Sequence, residues 1–162
     1  MASLIALANA TPPRALVPME ILINQGGAGG DLYVLQSGEL AVERDGVEVT
    51  RVSRPNSLVG EMSVLLGTPN SATVRAVGEA TVGVIKDARR QLLSDPETIF
   101  QLASLVASRL DSTTALLVEL SREHAGKAEH GMLSRILTAL ALPSDAEAVS
   151  RYDLFDPRSL LL

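Results

Sequence analysis

The stretch from Val59 to Val74, reading VGEMSVLLGTPNSATV, carries residue types and spacings suited to holding an oxyanion. Val59-Gly60-Glu61-Met62 sets a glycine and an acid at the end of an extended approach. A short apolar turn of helix follows, then the proline turn at Pro69 and a strand beginning near Ala72. Amide N–H groups at the start of a short helix point at a bound anion, and the peptide dipoles there favour negative charge. Gly60 lets the backbone approach a ligand closely. Glu61 can accept a hydrogen bond from a sugar hydroxyl, and Ser71 can donate one to a phosphate oxygen. Asn70 and Ser71 also suit ordinary turn chemistry ahead of a strand, and both readings stand. The candidate ligand-binding positions in this stretch are Val59, Gly60, Glu61, Met62, Asn70, Ser71 and Ala72.

Short extended runs must position this cradle. Ile21-Leu22-Ile23 is closed by Gln25-Gly26-Gly27, and Leu32-Tyr33-Val34-Leu35 by Ser37-Gly38. Leu40 to Arg44 runs into Asp45-Gly46, a hairpin signal, and Val47, Val49 and Val52 continue with polar residues between. Ala72 to Val77 and Ala80 to Ile85 read as two more strands. Short strands at this spacing predict a β-sandwich or barrel over residues 1–90.

Beyond residue 90 the signals turn helical. Ser94-Asp95-Pro96-Glu97 combines cap residues, a first-turn proline and an acid. Nothing breaks the helix from Glu97 to about Ala125. Ile99, Ala103, Val106, Leu110, Thr113, Leu117, Leu120 and His124 recur at alternating spacings of four and three, a heptad seam that faces a partner helix. Leu102, Leu105 and Leu116 form a second stripe beside it, suited to face the barrel. Gly126 and Gly131 interrupt, Met132 to Leu142 reads as a shorter helix ended by Pro143, and the tail from Ser144 to Leu162 has no clear period. The expected division is a β core over 1–90, a long dimerisation or lid helix over 91–126, and a short helix with a tail over 127–162.

Composition narrows the chemistry. Of the 162 residues, 46% are hydrophobic and only 2% aromatic, so Leu, Val, Ile and Ala must fill the core. The net charge of -5 opposes binding to a phosphate backbone, so no nucleic-acid partner is expected. There is no cysteine, hence no thiolate metal site or thiol nucleophile. The histidines, His124 and His130, lie beyond residue 90, and a metal-binding barrel needs histidines on its strands. No nucleophile–base set is present. The expectation is a non-enzyme without catalytic residues, metal or cofactor. Met1 to Ala10 lacks the basic start of a signal peptide and no run is fit to span a bilayer, so a cytoplasmic protein without a membrane partner is expected.

Gly60-Glu61 with Pro69 and Ser71-Ala72-Thr73 resembles the phosphate-binding cassette of the cyclic nucleotide-binding domain family. Gly30-Asp31-Leu32-Tyr33-Val34-Leu35-Gln36-Ser37-Gly38 resembles that family's second signature, and Val74-Arg75-Ala76 continues the first. The likeness runs from about Ile21 to about Leu120. It implies a mainly β fold with helices: a double-stranded β-helix, jelly-roll-like barrel with a short cassette helix, then a long helix and a shorter one. It implies cyclic AMP or cyclic GMP as ligand. Arg109 to Thr114 is similar to the long helix of cyclic-AMP-receptor-type regulators, where the helix pairs with its copy and two adjacent hydroxyls reach the base. By that resemblance Thr113 and Thr114 join the site, and residues 99–120 form a homodimer. The DNA-binding members carry a further domain after this helix, and the residues after Lys127 are too few for one.

The chain departs from the family at one position. Family members that bind a cyclic nucleotide carry an arginine after the proline, and this chain has Asn70. A charge-assisted contact of that kind is worth about 1.5–3 kcal/mol, roughly tenfold to a hundredfold in affinity. Two readings follow. One is a cyclic-nucleotide sensor that signals through its dimerising helix. The other is a fold that no longer binds nucleotide and serves as a dimeric scaffold or partner-binding protein.

Overall fold

Short strands closed by tight turns build the first part of the chain. The computed structural model describes residues 2–123 and residue 136. In order these form α1 (Ala2–Asn9), β1 (Arg14–Leu16), β2 (Ile21–Ile23), β3 (Leu32–Ser37), β4 (Leu40–Arg44), β5 (Val47–Val52) and β6 (Leu58–Val59). Then come α2 (Glu61–Leu66), β7 (Thr73–Ala76), β8 (Ala80–Ile85), α3 (Ala88–Leu93) and α4 (Pro96–Glu123). The chain divides into two compact units, Met1–Ile99 and Phe100–Leu162. The shorter helix expected at Met132 to Leu142 and the tail from Ser144 lie outside the described residues, Ile136 apart.

The strands make two four-stranded antiparallel sheets, ordered β1-β8-β3-β6 and β2-β7-β4-β5. This is the two-sheet arrangement that the strand spacing allows and the jelly-roll-like architecture that the family likeness implies. Asp45 and Gly46 join β4 to β5 with positive φ angles of 53° and 79°, the two-residue hairpin turn. β5 ends its sheet, pairs with β4 alone and is exposed over most of its length. Arg51 on it pairs with Glu48 and Glu39.

Among the described residues the core between the sheets holds one aromatic ring. Leu35, Leu40, Val59, Val74 and Val82 cluster with Tyr33, and Val42, Val52 and Val84 pack at its edge. Strand β3 is buried on both faces. Tyr33 and Leu35 join this cluster, while Leu32 and Val34, on the opposite face by the strand's period of two, are also buried.

Helix α1 covers that second face and was not expected as a helix. It packs on β8 and β3 and buries Leu4 and Ala8. Gly83 on β8 makes this close approach feasible, because a Cβ there would lie 2.8 Å from the Ala8 carbonyl oxygen and 2.9 Å from its Cβ. Thr11 then fixes the exit of α1 by donating its hydroxyl to the Val84 carbonyl at 3.0 Å. Strands β1 and β6, three and two residues long, are too short to show a period in sequence. Helix α3 was also unexpected: its six residues are shorter than the two turns that make a helical stripe readable.

Helix α4 begins where the cap signals place it. The Thr98 N–H donates to Asp95 Oδ1 at 3.4 Å, and the Thr98 hydroxyl donates to the other carboxylate oxygen. Among the described residues no helix is long and apolar enough to cross a membrane.

Substituting Gly83→Ala forces a methyl group into the contact with α1. The expected cost is about 1–3 kcal/mol, read as a lower urea midpoint at unchanged slope. An unchanged midpoint would mean that α1 is not seated on β8.

Candidate ligand-binding site

Strand β6 delivers the chain to Gly60, which takes a left-handed conformation with φ 94° and starts α2. Only glycine suits the position. Beyond the φ cost, a Cβ here would sit 2.7 Å from the Asp31 carbonyl oxygen. Val59 is buried beneath the turn and pairs with Tyr33. Glu61 opens α2 and is 8% exposed, whereas Met62 beside it is exposed. Ser63 turns inward and donates its hydroxyl to the Gly60 carbonyl at 2.9 Å. Gly29 packs against it so tightly that a Cβ there would lie 2.4 Å from the Ser63 Cβ. The cassette helix and the glycine loop between β2 and β3 are therefore one packed piece.

Asn70 closes the other end, and all its visible bonds go to that loop. Its N–H donates to the Gly27 carbonyl at 2.9 Å, its carbonyl accepts from the Gly26 N–H at 2.8 Å, and its Nδ2 donates to the Ala28 carbonyl at 3.1 Å. One residue on, Ser71 is exposed and its hydroxyl holds no hydrogen bond among the described residues. Ala72 is half-buried. A pocket of ≈ 210 Å³ lies between Asn70 and the loop, with Asn24 and Asp31 at its polar side and Ile23 and Tyr33 at its apolar side. The sequence reading took Gln25-Gly26-Gly27 as a strand-closing turn and missed this role. The available signal was the density of glycines, at 26, 27, 29 and 30.

The sequence profile of the family described as "Cyclic nucleotide-binding domain" matches residues 13–96. The chain belongs to the cyclic nucleotide-binding domain family. An uncharacterized ABC transporter ATP-binding protein of Mycobacterium bovis is 35% identical over 95 residues, covering 56% of this chain and 28% of that protein. A second such protein, from Mycobacterium tuberculosis, is 38% identical over 79 residues, covering 46% of this chain and 24% of the relative. The chain therefore aligns with only 28% and 24% of the length of these curated relatives. Among solved structures, a cyclic nucleotide-binding domain from Methylobacillus flagellatus superposes with a TM-score of 0.58 at 21% identity, over 66% of each chain. The cAMP-bound PfPKA-R superposes with a TM-score of 0.54 at 19% identity, over 67% of this chain and 36% of that one. At these identities the structural likeness shows the fold.

Among the described residues, two cations of this cyclic nucleotide-binding domain that lie close to the cassette are each paired with an acid. Arg75, close by in sequence, bonds Glu43 on the neighbouring strand β4. Lys86 bonds Asp31 at 2.6 Å, and that bond raises the Lys86 pKa above its ordinary 10.5. Asp31 also accepts from the Asp87 N–H at 3.0 Å, and the Gly30 carbonyl accepts from the Ala88 N–H at 2.8 Å. The glycine loop is thus tied to residue 70 at one end and to the start of α3 at the other. Burial raises the Tyr33 pKa, so this core phenol stays protonated over the working range.

Thr113 and Thr114 lie on α4, in the second compact unit. Each hydroxyl donates back into its own helix, to the Arg109 carbonyl at 2.8 Å and the Leu110 carbonyl at 2.9 Å. The seam expected to meet a partner is largely open. Leu110, Thr113 and Leu120 are exposed, and Val106 and Leu117 half-buried. Among the described residues no group of three His, Cys, Asp or Glu side chains is placed to hold a metal ion.

Two measurements test this geometry. Asn70→Ala removes the side-chain tie but keeps the backbone pair, so a loss of about 1 kcal/mol is expected, with faster amide exchange at Gly26 to Gly30. Unchanged exchange there would contradict the role given to the carboxamide. For Lys86, whose folded pKa is raised, the stabilisation is full below 10.5 and lost as pH rises through the folded value. The stability gap between the natural chain and Lys86→Met should close on the alkaline side; a constant gap would remove the Asp31–Lys86 bond from the account.

Proposed function

We propose that this chain is a regulatory module that senses a cyclic nucleotide, cyclic AMP or cyclic GMP, and has no catalytic activity of its own. The observation that carries the reading is Gly60 in its left-handed turn, opening a helix whose first residue, Glu61, is an almost buried acid. A buried carboxylate beside a close-approaching backbone suits a ribose hydroxyl, and the free Ser71 hydroxyl suits a cyclic phosphate oxygen. The cAMP-bound PfPKA-R and a chain solved in work on a cyclic-GMP-dependent signalling pathway share this fold, the latter with a TM-score of 0.57, 16% identity and 69% and 94% coverage. Val59 and Met62 flank the ligand, Ala72 follows Ser71 along the cassette, and Thr113 and Thr114 meet the base when two copies pair along residues 99–120. The open stripe on α4 supports that pairing, since a heptad seam left in water gains by meeting its copy. The module works in the cytoplasm, without nucleic acid or membrane as partner.

Asn70 supports a second reading. Its carboxamide Nδ2, the donor nearest in kind to the family's arginine, is already bonded to the Ala28 carbonyl of the glycine loop. On that reading the fold serves as a dimeric scaffold or partner-binding protein.

Titration calorimetry with cyclic AMP and cyclic GMP separates the two. Heat with micromolar to millimolar affinity supports the sensor, and no heat at millimolar ligand supports the scaffold. Asn70→Arg restores the charge-assisted contact and is expected to tighten nucleotide binding about tenfold to a hundredfold. Weaker or unchanged binding would mean that the pocket is shaped for another ligand.

A further inference from the structure

Helix α2 ends on Gly67, left-handed with φ 64°, and Arg89 of α3 lies against it. A Cβ at residue 67 would fall 2.3 Å from Arg89 Nη1 and 3.4 Å from its Cζ. Arg89 is half-buried, and among the described residues no carboxylate pairs with it. A guanidinium at the C-terminal end of a helix is favoured by the negative end of the peptide dipoles. The same short helix carries Glu61 and Met62 at its other end. Two observations give the contact a consequence. Helix α3 leads through Ser94 and Asp95 directly into α4. Beside that junction a groove of ≈ 510 Å³ separates Ala6, Leu7 and Ala10 of the N-terminal segment from Gln91, Ser94 and Asp95. The end of α3 therefore has space beside it, while Arg89 sets its first turn against the end of α2.

We propose that Arg89 is the positioning residue that makes the cassette helix and α3 move as one body. A ligand seated at Gly60 to Met62 then displaces the chain where α4 begins. This rests on the cyclic-nucleotide reading of the cassette, and the glycine at position 67 is there to admit the guanidinium.

Amide hydrogen exchange on the full chain tests it, with and without saturating cyclic AMP or cyclic GMP. In the natural chain, nucleotide should slow exchange at 61–66 and change it at 88–93. In Arg89→Gln the effect at 61–66 should remain and the effect at 88–93 should vanish, with Arg89→Lys restoring part of it. An undiminished effect at 88–93 in Arg89→Gln overturns the proposal. A second arm needs no ligand, so it holds even where calorimetry shows no nucleotide binding and the sensor reading fails. In the ligand-free chain Arg89→Gln should speed exchange across 61–66 by about two- to fivefold, the size of a lost helix-end cation. Gly67→Ala should also cost less in Arg89→Ala than in the natural chain, a non-additivity of about 4 °C in Tm. Additive melting temperatures with unchanged exchange at 61–66 overturn the contact itself.

Discussion

The Gly60 backbone passes so close to the Asp31 carbonyl that no side-chain atom fits between them. That single approach sets where the cassette helix can start. It also draws the two signature stretches, Gly60-Glu61 and the run from Gly30 to Gly38, into one contact, although they lie thirty residues apart in sequence (residue 60 against residue 30). Around it the glycine loop wraps to residue 70 on one side and to Ala88 on the other. A larger residue at 60 would not merely strain a turn. It would push α2 off the loop, and with it the almost buried Glu61.

The scaffold meets this demand with very little aromatic mass. Small branched side chains fill a thin space between two sheets, and β3 is sealed on its far face as well as its near one. Strand β3 is also paired on both edges, to β8 and to β6, which fixes its register from two sides. Tyr33, on that strand, is the wall against which both Gly60 and the pocket are set.

Much of this was legible in the sequence. The hairpin at Asp45-Gly46, the strand from Leu40 to Arg44, the cassette helix and the start of α4 all follow from local turn and cap chemistry, and all sit where that chemistry places them. What escaped was set by packing instead of by local pattern. The N-terminal helix is readable only once Gly83 is seen to leave space for Ala8, seventy-five positions earlier (83 less 8). The glycines of the β2–β3 loop look like generic turn residues until Asn70 and Ser63 are brought against them. Arg75 shows the converse. Its direction could not be read in the sequence, and alternation along β7 turns it from the buried Val74 and Ala76 towards Glu43.

Strand β5 has a consequence of its own. It closes its sheet with a row of main-chain donors and acceptors that no neighbouring strand among the described residues takes up, and Val47 and Val49 stand 66% and 62% exposed along it. Such a rim is a template on which another extended chain can grow. Glu48 and Arg51, bonded to each other on that same rim, place charge where an incoming backbone would have to lie dry. Among the described residues the sheet therefore stops at β5 as a solvated border that resists running on into a fibril.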